Sequence, residues 1–132
     1  MVTLPCGVEL AGLLALARTQ FVRLQAAWDA GDLELLGELT TPQLWRDLCD
    51  ELQACALAPN RTEVLTLEAQ LIGFEDLPGA WLASIEFTGM MREVAEEGAA
   101  PFREWWLLAR EKADSPSPAD APWRLVRQHT LL

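Results

Sequence analysis

The chain has 132 residues, 51% of them hydrophobic, which is enough for one core of its own. Twenty acidic against ten basic residues leave a net charge of −10, and neither half is basic, which argues against nucleic acid and anionic membrane as partners, since both are held through Lys and Arg. Cys6, Cys49 and Cys55 suggest neither a disulfide framework nor a zinc site, so a reducing, cytoplasmic compartment is mildly favoured.

In chain order, Leu10, Leu13, Leu14, Ala17, Phe21, Leu24 and Trp28 recur at steps of three and four, with Arg18, Gln20, Arg23 and Asp29 between them. This spacing predicts an amphipathic helix closed at Ala30-Gly31. Asp32 reads as the N-cap of a short helix over Leu33 to Leu39, with Glu34 at its positive start. Thr41-Pro42 starts a third helix, whose apolar stripe is Leu44, Trp45, Leu48, Cys49, Leu52 and Cys55, ending near Ala56.

Beyond Pro59-Asn60 the period falls to two. Thr62 to Phe74 predicts a half-buried strand with Leu65, Leu67, Ala69 and Leu71 on one face. Glu75 to Gly79 supplies a turn, and a second strand from Ala80 to Arg92 sets Trp81, Ala83, Ile85 and Phe87 against Ser84, Glu86 and Thr88. Glu96 to Ala100 reads as a loop, Phe102 to Lys112 as a third strand, Ser115 to Pro122 as a proline-rich connector and Trp123 to Leu132 as a fourth strand. Three helices followed by four consecutive strands predict an α+β domain spanning residues 1–132, its N-terminal helices packed on a curved four-stranded antiparallel sheet. A concave space at the open end is where a ligand would bind. Tryptophans at helical spacing also serve simply as core packing.

Several segments then carry a family resemblance. Phe21 to Leu33, Leu39-Thr40-Thr41-Pro42, Asn60 to Val64, Ala83 to Gly89, Met91-Arg92-Glu93 and Pro101 to Leu108, in this order, resemble the bacterial branch of the family related to the C-terminal domain of subunit 44 of the mitochondrial inner-membrane import translocase. That domain is similar to nuclear transport factor two, a cone of helices wrapped by a curved sheet around a cavity. The resemblance implies a docking or binding role in a membrane-associated protein, anchored through an N-terminal region outside this chain and linked to protein translocation or membrane-complex assembly. Around Arg127-Gln128-His129 the chain departs from the family pattern, which bears on the depth of the cavity.

Candidate chemistry centres on the third strand. Glu104, Trp106 and Leu108 share one face, and Trp105, Leu107 and Ala109 make an equally apolar opposite face, so periodicity leaves open which side is inward; the resemblance implies the first. A carboxylate beside a tryptophan in an apolar space has its charged form desolvated. The simpler reading pairs Glu104 with Arg124 or Arg127. His129, near the end of the last strand, suits a surface role better than catalysis, and no nucleophile elbow, phosphate-binding loop or metal-spaced cluster stands out.

The expectation is therefore a non-enzymatic binding module with no cofactor and no metal. Trp28, Trp45, Phe87, Glu104 and Trp106 are its ligand-binding candidates, and a protein, a hydrophobic peptide or an apolar small molecule its partner. Homodimerisation through the outer sheet face is a further expectation, marked by Met90-Met91 beside Leu82. The alternative is a small isomerase, hydrolase or dehydratase with Glu104 as general base.

Overall fold

Gly31 ends the first helix in the left-handed conformation, at φ 67°, where a side chain would be strained. Its N–H donates to the Trp28 carbonyl at 3.2 Å and the Asp32 N–H to the Ala27 carbonyl at 2.9 Å, a paired closure of the last turn. The Asp32 carboxylate then accepts from the Leu35 N–H at 3.1 Å. One residue thus closes a helix and opens the next, which fixes the angle between them. In the computed structural model, which describes residues 3, 4, 7–54, 63–92, 98–112 and 122–130, the helices are α1 (Leu10–Ala30), α2 (Leu33–Leu39) and α3 (Pro42–Ala54).

The strands are β1 (Glu63–Asp76), β2 (Ala80–Arg92), β3 (Ala100–Glu111) and β4 (Arg124–Thr130), joined as one antiparallel meander in the order β1-β2-β3-β4. The α+β architecture and the curved sheet are as expected. The strand ends shift by one or two residues, while parts of the expected loop at 96–100 and connector at 115–122, together with residues 131–132, lie outside the described residues.

α1 crosses the inner face of the sheet. Leu13, Ala17, Phe21 and Leu24 bury its apolar stripe, and Phe21 meets Phe87 at 4.7 Å, Trp106 at 5.3 Å and Phe102 at 5.5 Å between ring centroids. Phe87 and Trp106 stand edge to face at 5.0 Å. These spacings fall in the range where aromatic pairs add about 0.5–1.5 kcal/mol beyond area burial. α2 and α3 close one end. There the Thr41 N–H donates to the Leu125 carbonyl at 2.9 Å, tying the helical layer to the β4 edge, while the Thr40 hydroxyl donates to the Leu36 carbonyl at 2.7 Å and closes α2.

Three bulges bend the ladder. Pairing skips a residue at Leu65, at Ile72 and at Val126, and each extra residue bends its strand and reverses the alternation beyond it. Leu65 is the first casualty of strict two-residue spacing. It is 40% exposed while Val64 packs against the core, the reverse of the expected faces. Met91 is the second correction. It packs on the core side, because consecutive strand residues point to opposite faces, so only Met90 stays with Leu82 on the outer side.

The bulge at Leu65 also explains Gly89, where an added Cβ would lie 2.0 Å from the Thr66 carbonyl oxygen and 3.0 Å from the Phe102 ring. Backbone, not a flexible side chain, blocks that position. Gly12, on α1, has nothing within 4 Å of such a Cβ. In urea denaturation, Gly89→Ala should lose about 1–3 kcal/mol, whereas Gly12→Ala should gain about 0.5–1 kcal/mol from helix propensity. Equal effects at the two sites would contradict the close approach of β1 to β2.

Candidate functional site

Alternation along β3 turns Phe102, Glu104, Trp106, Leu108 and Arg110 inward, with Trp106 1% and Leu108 0% exposed. The face left open by periodicity is thereby settled. Glu104 sits at the end of this row nearest Phe102, in the rim of a pocket of ≈ 140 Å³ whose other walls are Leu24, Gln25 and Trp28 of α1, Leu36 of α2, Leu48 and Glu51 of α3, and Gln128 of β4. The leucines are buried. The amides and carboxylates lie among them, so the walls are mixed rather than simply apolar.

The bulge at Val126 builds the β4 side. Leu108 pairs with Leu125 but Leu107 pairs with Arg127, so past the extra residue Gln128 and Thr130, not Arg127 and His129, share the face of Glu104. The Thr130 hydroxyl donates to Glu104 Oε1 at 3.4 Å and the Trp106 indole N–H to Oε2 at 2.9 Å. The expected arginine pairing does not form. Arg124 and Arg127 pair across from Ala109 and Leu107, on the outer face, and are exposed.

The salt bridges formed among the described residues join Arg92 to Glu63 at 3.6 Å, Arg103 to Glu86 at 3.0 Å, and Lys112 to Asp76. None of them reaches Glu104. Buried Arg110, its guanidinium 5.9 Å from the Trp81 ring and 6.0 Å from that of Trp123, is six residues along β3, about 20 Å away at strand rise. Glu104 is thus a carboxylate held by neutral donors. Burial raises its pKa above the ordinary carboxylate range, and the hydrogen bonds from Trp106 and Thr130 only partly oppose that rise.

Of the five residues singled out by sequence, Trp28 and Glu104 line the pocket. Trp106 lies beneath it, a core ring that positions the carboxylate. Phe87 is fully buried against Phe21 and Trp106. Trp45 stands apart: its indole N–H donates to the Leu33 carbonyl at 2.8 Å, and its ring lies within 3.3 Å of where a Gly37 Cβ would be, locking α3 to α2. Gln25, Glu51 and Gln128 were not foreseen. Their polarity reads as solvent-facing, and only the bulge brings Gln128 inward.

Comparison with known proteins places this geometry in a wider fold. The crystal structure of the intermembrane-space region of the chloroplast protein ARC6 superposes with a TM-score of 0.54 over 89% of this chain and 95% of that one, at 11% identity. The likeness is one of fold. No family model matches the chain, and no curated protein matches it by sequence. Among the described residues no helix is long and apolar enough to cross a membrane, and no group of three or more His, Cys, Asp or Glu could hold a metal ion.

The raised pKa of Glu104 has a definite sign for stability. A carboxyl whose folded pKa exceeds its unfolded value binds protons better when folded, so its contribution is greatest below the unfolded pKa and is lost as pH rises through the folded one. Glu51 is the other titratable group on the pocket wall. Glu104→Gln keeps an acceptor for Trp106 and removes the desolvated charge. Its Tm should therefore exceed that of the wild type at pH 7, and the gap should close toward pH 4; a variant less stable at pH 7 would contradict this account of the carboxylate.

Proposed function

We propose that this domain is a non-enzymatic docking module whose pocket takes one anchoring side chain from a segment of a partner protein. The observation that carries the reading is the pocket's size and make-up. Small-molecule and cofactor sites run to about 300–1,000 Å³, whereas ≈ 140 Å³ holds a few waters at about 30 Å³ each, or a single side chain. Leu24, Leu36, Leu48 and Trp28 suit an apolar stem, and the polar rim suits a directional head group. The resemblance to translocase subunit 44 and the fold shared with a region of ARC6 from the chloroplast intermembrane space are consistent with a membrane-associated parent protein engaged in translocation or complex assembly.

A second reading has one observation in its favour. The raised pKa of Glu104 is the tuning that a general acid or base requires, which would suit a small isomerase, hydrolase or dehydratase. The two readings part on what Trp28 does: an anchor wall is needed for binding a peptide, whereas a base acts on a small substrate.

Selection from a random peptide library on the immobilised domain, counter-selected against Trp28→Ala, tests the docking reading. The expected result is an enriched set sharing one fixed anchor position, with binding lost in Trp28→Ala. Failure to enrich anything over the counter-selected variant would reject it.

A further inference from the structure

Of the three helices that wall the pocket, α1 and α3 do so with their final turns. Trp28 and Gln25 lie in the last two turns of α1, and Leu48 and Glu51 in those of α3. A helix C-terminus carries a partial negative charge, which a Lys or Arg in the last turn commonly offsets; neither α1 nor α3 has a basic residue there. Two carboxylates, Glu51 and Glu104, join the same wall, and no salt bridge among the described residues reaches either. The remaining polar liners, Gln25 and Gln128, can turn their carbonyl oxygens inward. Trp28 adds an aromatic ring to the lining, and aromatic rings attract cations.

From this convergence we infer that the pocket is a receptor for a basic side chain, an arginine or lysine presented by the partner segment. This rests on the docking reading and names the chemistry of its anchor. Lys and Arg are the side chains that lay an apolar stem along leucines while keeping a charged head on polar groups, and they match walls that are apolar at Leu24, Leu36 and Leu48 and anionic at Glu104. The cation supplies the opposite charge that the desolvated carboxylate lacks, and the −10 net charge of the chain steers basic partners toward it.

The Trp106 indole N–H, bonded to Glu104 at 2.9 Å, is a built-in reporter. Blocked peptides Ala-Ala-X-Ala-Ala with X as Arg, Lys, norleucine or Glu, together with n-butylguanidinium and butyrate, are titrated at low salt and pH 7 while the tryptophan indole signals are followed by NMR. The expected result is saturable movement of the Trp106 and Trp28 signals with Arg and Lys, about tenfold weaker binding for norleucine, none for Glu or butyrate, and loss in Glu104→Gln. Because that variant should fold at least as well as the wild type, its loss reports on the site. Norleucine binding as tightly as Arg would overturn the basic anchor and leave the docking reading standing. Saturable binding of n-butylguanidinium without any peptide binding would support the cation site and reject docking. Silence of both indole signals throughout would overturn the inference.

Discussion

Trp106 does two jobs in one position. Its ring completes the aromatic cluster that clamps α1 to the sheet, 5.3 Å from Phe21 and 5.0 Å from Phe87, while its indole N–H holds Glu104 at the edge of that cluster. Core and site therefore cannot be varied independently. Packing at this density keeps a side chain in one rotamer, and that rigidity passes through the indole hydrogen bond to a carboxylate whose other oxygen is held by Thr130. The pocket is the space left where the cluster ends and the helix termini begin.

The energetic tension in the molecule follows from that placement. Burying a carboxylate is unfavourable unless hydrogen bonds or an opposite charge offset it. Glu104 has hydrogen bonds from a neutral indole and a neutral hydroxyl, and burial, which outweighs them, pushes its pKa upward. A chain with surface pairs such as Arg103–Glu86 at 3.0 Å has arginine at hand, yet the bulge at Val126 directs Arg127 away and brings Gln128 in. Such an arrangement is costly as packing, and it is the feature on which the proposed docking role rests.

Much of the architecture was legible in the residues. Gly31-Asp32 and Thr41-Pro42 mark helix ends through local backbone chemistry, and the change of hydrophobic period beyond residue 60 separates the helical from the sheet half without tertiary information. The bulges were not legible. An extra residue at Leu65, Ile72 or Val126 leaves local composition unchanged and is decided by pairing with the neighbouring strand. That one unseen choice accounts for the reversed faces of Val64 and Leu65, the inward Gln128 and Thr130, and the outward Arg127. Glu104 and Trp28 could be picked out by type and spacing; the partners of Glu104 could not, because they depend on the register between β3 and β4. The packing of Trp45 against Gly37 likewise depends on the angle between two short helices.

The state of Glu104 is the central claim, and its side-chain carboxyl can be observed directly. A ¹³C NMR titration with site-specific assignment should give a midpoint above the ordinary glutamate value of about 4.3, shifting downward when an arginine-containing peptide is bound. A midpoint at or below that ordinary value in the free protein would mean that the carboxylate already has a positive partner or stands in water, and would contradict the account.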